Sequence, residues 1–304
     1  MTVNTNFDLR QVNGSTIYMP PWAEANDKWG NLALPDVYAK GTAQLYPTGT
    51  IYRKGLRTFV YTKCHTTYYG QSGTAAIIAG YLMESGSEIT SCADSLITGI
   101  AGADTVKVDM DGAAVGIAAL GINSHAGGFL SVTMGTGLSL NVEGGCAEYQ
   151  IISNTAEDGD GYVTFTLDGT LPVTYDTNAD IVIAQHPYAE VRHIVGEPYV
   201  MAVGVLLCTS ASANYLWLQT GGPTNCCHVV VSYEGDAKHC IPCYAHGGAS
   251  QLCIAYNSTT TTSSVVYAAL QVIGHRYASS DIGGPSGSPT DDTINQPIWL
   301  TILN

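Results

Sequence analysis

The chain has 304 residues, 45% hydrophobic and only 12% charged, with 34 Gly, 19 Tyr and 9 Cys. That balance excludes a disordered chain, which needs low hydrophobicity and high charge density. A formal charge of −14, from 11 Lys and Arg against 25 Asp and Glu, argues against general binding to nucleic-acid backbones, which recruit Lys and Arg.

Residues 1–45 are rich in Asn, Pro and Gly, hold Pro20-Pro21-Trp22 and Trp29 in polar surroundings, and show no sustained periodicity. They read as an extended N-terminal arm that orders against a neighbour, or as a loop-rich cap on the chain's own domain. The first ten residues lack the apolar core of a secretory signal, so synthesis in a cytosol is expected. Nine cysteines cannot all pair within one chain, which favours reduced thiols.

From Thr50 onward, short β-branched or alternating runs recur. They include Thr50–Arg53, Thr58–Thr62, Thr105–Asp109, Gly161–Leu167, Ile181–Ile183, His228–Tyr233 and Ser264–Tyr267. Each is bounded by Gly, Asp, Asn or Pro, as antiparallel strands joined by tight turns are. Glu157-Asp-Gly-Asp-Gly161 before alternating Tyr162, Phe165 and Leu167 predicts a hairpin, because Asp-Gly tolerates positive φ. Only Thr74–Ser85 has a helical look, and Gly80 weakens it. The loop Gly283–Pro289 leads to a last apolar strand, Pro297–Leu303.

No βαβ alternation appears, so a parallel nucleotide-binding sheet is not expected. The longest apolar stretches, such as Ala113–Ile122 and Val200–Cys208, are shorter than the roughly 20 residues of a membrane helix, and no membrane partner is expected. The expected fold is all-β. It comprises antiparallel sandwich or barrel domains over 46–195 and 196–304, or one β unit spanning both, with very little helix.

Charge is segregated. Lys40, Arg53, Lys54, Arg57 and Lys63 lie in a stretch without a carboxylate, whereas residues 108–191 hold eleven Asp and Glu and no Lys or Arg. Complementary patches of this kind steer ordered association.

Motifs of catalysis are missing: no Gly-x-Ser-x-Gly, no His-Glu-x-x-His, no phosphate-cradling loop. A non-enzymatic chain without cofactor is therefore expected. Cys226-Cys227-His228, His239-Cys240-Ile-Pro-Cys243, His246 and Cys253 have residue types that bind zinc. However, only one CxxC is present, and Cys226–Val231 reads as apolar strand, where Cys is a small buried hydrophobe. Inert thiols are expected there and no metal; zinc and a disulfide stay open as alternatives. Asp109-Met-Asp111 and Glu157–Asp160 offer hard oxygen ligands but no complete calcium loop, and read as turns.

Leu45–Tyr61, with a Gly-Thr-x-Tyr strand, a turn and an Arg-x-Phe-x-Tyr strand, resembles a segment of tailed-bacteriophage structural proteins. Asp168–Val173, Ala179–Ile183, Pro187–Val191 and the Trp-x-Gln-x-x-Gly-Pro run within Ala213–Pro223 resemble later parts of such proteins, in the same order. The resemblance implies a virion protein that decorates or cements a capsid, β-rich, non-enzymatic and trimeric, bound to the major capsid protein. The Cys226–Cys253 region has no counterpart in it. Its interface would use Trp22, Trp29, Arg53, Lys54 and Arg57, since Trp and Arg are frequent interface anchors. The alternative is a tail, turret or head-fibre component that binds glycans through exposed aromatics such as Tyr68 and Tyr69.

Overall fold

The computed structural model describes residues 8–12, 14–20, 34–65, 77, 79–86, 89–92, 96–110, 120–133, 146–175, 179–193, 201–211, 213–229, 242–246, 251–254, 272–276 and 293–302. None of these residues is helical, and the fold is all-β. The first strands are β1 (Asp8–Val12), β2 (Ser15–Met19), β3 (Lys40–Gly41), β4 (Ile51–Lys54), β5 (Arg57–Lys63) and β6 (Leu82–Ser85). Then come β7 (Ile89–Cys92), β8 (Leu96–Thr98), β9 (Thr105–Asp109), β10 (Phe129–Thr133), β11 (Cys146–Asn154), β12 (Tyr162–Leu167) and β13 (Asp180–Ala184). The last are β14 (Val191–His193), β15 (Ala202–Leu206), β16 (Tyr215–Val229), β17 (Pro242–His246), β18 (Gln251–Ile254), β19 (Val272–Arg276) and β20 (Thr293–Thr301).

The chain forms two compact units, one of residues 1–8, 19–30 and 87–189, the other of 9–18, 31–86 and 190–304. This division differs from a cut near residue 195. Strand β5 pairs with β16, and β6 with β14 and β15, so segments far apart in sequence share one sheet. The stretch expected as an arm contributes β1 and β2 to that sheet, with β2 antiparallel to β4. Trp22 and Trp29 lie outside the described residues. The helical look of Thr74–Ser85 is overturned in its described part. Ile77 bridges Ser210, and β6 is buried at all four positions, as in a strand covered on both faces rather than a helix with one apolar stripe.

The 87–189 unit is a seven-stranded sheet in the order β7-β13-β10-β11-β12-β9-β8. Alternation sets its inner face: Val106, Val108, Leu130, Val132, Val163, Phe165, Ile181 and Ile183 point into one core closed by Leu171 and Tyr175. A bulge in β11 between Ile151 and Ser153 lets the consecutive Ile151 and Ile152 both be buried. Such a bulge bends its strand and raises local twist, so both halves of the sheet curve around the same core. In the β11–β12 turn, Asp158 Oδ1 accepts from the backbone N–H of Asp160 and Tyr162, at 3.0 and 2.9 Å. That carboxylate completes a turn.

The other unit holds a thirteen-stranded sheet, with β1-β2-β4-β5-β16-β18-β17-β19-β20 as its main path. Pairings of defined register are antiparallel except β16 with β18. Because β20 also pairs with β16, the five strands β16, β18, β17, β19 and β20 close a ring, which removes exposed strand edges. Cys226, Ile273, Ile298 and Leu300 are buried together with Leu82, Ala202 and Val205. Where β5 meets the first half of β16, Trp217 lies 5.0–5.9 Å from the rings of Tyr46, Tyr52 and Tyr61. Edge-to-face and tilted ring pairs of this kind add roughly 0.5–1.5 kcal/mol each beyond their area burial.

Candidate interaction surface

The cation-rich segment folds as the strand-turn-strand its pattern predicts. Arg53 and Lys54 end β4, and Arg57 begins β5 opposite Lys54 across a two-residue turn. Gly55 has φ +59°, while Leu56 stays at negative φ, the arrangement of a II′ turn, whose first position favours glycine. The tip therefore presents Leu56, which at 71% exposure is the most open large hydrophobic side chain among the described residues.

Only part of the cationic row faces solvent. Arg53 and Lys54 are exposed, with the Arg53 guanidinium 5.4 Å from the centre of the Tyr18 ring. Arg57 is turned inward. Its Nε and Nη2 donate to Gln219 Oε1 at 3.1 and 2.6 Å, its Nη1 donates to the Tyr38 hydroxyl at 3.2 Å, and its guanidinium sits 4.8 Å over Phe59. Gln219 in turn donates to the carbonyls of Gly221 and Pro223 at 3.1 and 2.7 Å. Arg57 thus fastens the hairpin to β16, while Arg53, Lys54 and Leu56 form the outward tip. Lys40 donates to the Thr209 carbonyl.

Lys63 belongs to a charged layer across β5, β6 and β14. Its ammonium is 2.9 Å from Glu190 Oε1, His65 Nε2 is 3.3 Å from Glu190 Oε2, and Arg192 Nε is 2.8 Å from Glu84 Oε1. Burial pushes the Glu84 carboxyl above its ordinary value against the pull of Arg192. Burial lowers Lys63, but the Glu190 hydrogen bond and charge outweigh it and hold the ammonium above its ordinary value. These groups tie strands together; sequence inspection does not find them because their members lie about a hundred residues apart.

Of the cysteine-rich stretch, Cys226 is a fully buried core group. Cys64 and Cys208 are free thiols, and burial pushes Cys64 up to about 11, which keeps it protonated and inert near neutrality. Cys243 pairs in register with Ile254, and Cys253 with Tyr244. His239 and Cys240 lie outside the described residues, as do Tyr68 and Tyr69. Among the described residues no group of three or more His, Cys, Asp or Glu is set to hold a metal ion.

The tip residue Leu56 is the element the charge pattern did not single out. Its signal was an aliphatic residue at a turn position that polar residues normally fill. No protein-family model, curated protein or solved structure matches this chain.

Proposed function

We propose that the chain is a non-enzymatic virion structural protein of the decoration or cement type, which self-associates and binds the major capsid protein of a tailed phage. The observation that carries this reading is the β4–β5 hairpin. An aromatic core and the Arg57–Gln219 hydrogen bonds hold it rigid, and its tip offers an apolar side chain beside two exposed cations. A tip held by its scaffold loses little conformational freedom when it docks, which favours binding. The resemblance of Leu45–Tyr61 to phage structural proteins falls on the same hairpin. The charged layer of Glu84, Arg192, Lys63 and Glu190 joins strands, a structural use that needs no substrate.

The test is light scattering of the purified chain, followed by co-sedimentation with undecorated capsid shells. A defined oligomer that pellets with shells is expected. A strictly monomeric chain that stays in the supernatant rejects the reading.

A further inference from the structure

The outward face of the seven-stranded sheet has the opposite chemistry to the hairpin tip. On that face Phe129 stands opposite Gln150 and Ala184, and Ser131 lies between Glu148 and Val182. Phe129 and Val182 are therefore diagonal neighbours on adjacent strands, a spacing of about 7–8 Å. Both are part-exposed, at 41% and 36%, although a solvated sheet face normally alternates to polar residues. Carboxylates rim them: Glu148 is exposed on β11, Asp180 begins β13, and Asp168 is exposed, with its Oδ1 accepting from the Gln150 N–H at 3.0 Å. No Lys or Arg occurs between residues 108 and 191, so no cation from this stretch neutralises the rim.

We infer that the β4–β5 tip of one copy seats on the outward β10–β13 face of a second copy, with Leu56 against Phe129 and Val182 and with Arg53 and Lys54 toward Glu148 and Asp180. The inference rests on the self-association proposed above and names its surfaces. An apolar centre with a charged rim on each side meets the two demands of a specific interface, a desolvated core and complementary potentials. The contact is heterologous, because the two surfaces differ. Each copy both gives a tip and receives one, and such contacts close into a ring when the rotation allows. A ring repeats the small contact around its circumference, which compensates for its limited area.

The experiment compares oligomer mass by sedimentation for four chains: wild type, Arg53→Glu with Lys54→Glu, Glu148→Lys with Asp180→Lys, and all four changes together. Each one-sided reversal is expected to weaken association about tenfold or more, and the combined chain to recover it. Raising salt is expected to dissociate the wild type. Circular dichroism checks folding, and the milder Arg53→Gln with Lys54→Gln chain replaces any reversal that unfolds; it is expected to associate more weakly and with less salt dependence. Wild-type oligomers that persist unchanged in both one-sided chains overturn this contact while leaving self-association standing. A monomeric wild type overturns both.

Discussion

His125 shows how a single side chain acquires its character from its surroundings. It is buried, its ring meets Phe165 edge-on at 6.3 Å, Ser124 Oγ lies 3.1 Å from Nδ1, and its backbone N–H donates to Asn154 Oδ1 at 2.9 Å. Burial brings it down to about 4 from an ordinary 6.5. Above pH 6.5 the ring is neutral in both folded and unfolded chains and titration contributes nothing. Between 6.5 and 4 the unfolded chain takes up a proton that the folded one refuses, so stability falls as pH falls. The slope approaches 1.4 kcal/mol per pH unit, for a total of about 3 kcal/mol. Urea midpoints measured from about pH 7 to about pH 4 should show this loss, and His125→Gln should make the fall shallower by this share, while His186, which burial also brings down to about 4, keeps the rest. Nothing in the sequence distinguishes this histidine from the other seven, because burial is a property of packing. Arg57 teaches the same lesson. It reads as an exposed interface cation, yet it lies against Gln219, 162 residues away.

At the scale of elements, the β4–β5 hairpin was legible because its cues are local: alternation, Lys-Gly at the turn and an aromatic strand after it. The β11–β12 hairpin, with Asp158 capping its turn, was legible for the same reason. Seating the first hairpin on β16 depends on Gly222. Its φ is +79°, and a Cβ there would lie 2.0 Å from the Leu56 carbonyl oxygen. Backbone on backbone has no flexible side chain to give way. Gly222→Ala is therefore expected to lower stability by on the order of 3 kcal/mol, from strain at positive φ and overpacking together. Thermal unfolding measures the loss, and a shift within error of zero refutes the account. Strand β6 was the element misread. Its residues carry a helix-compatible pattern, and only layers on both sides reveal a strand.

For the whole molecule, the charge imbalance has a direct solution consequence. The sequence pI is about 4.7, and the −14 formal charge per chain at pH 7 opposes non-specific clumping of its assemblies by like-charge repulsion. As carboxylates protonate, that repulsion fades while exposed apolar side chains such as Leu45 and Ile122 remain free to meet. Turbidity at low salt is expected to peak near the pI and to clear again at neutral pH. A flat turbidity profile across that range counts against repulsion as the solubilising force.

The sequence by itself determined an all-β chain, the places of its tight turns, and the separation of a cation-bearing stretch from an anionic one. These follow from local backbone preferences and from composition, which need no partner. The tertiary structure alone decided that residues 87–189 form a unit of their own, that β5 joins β16, and that β16 to β20 close a ring. It also decided which apolar and charged side chains were left facing water. Strand partners are selected by packing over long sequence separations, where many registers satisfy the same alternation and only the filled core distinguishes among them.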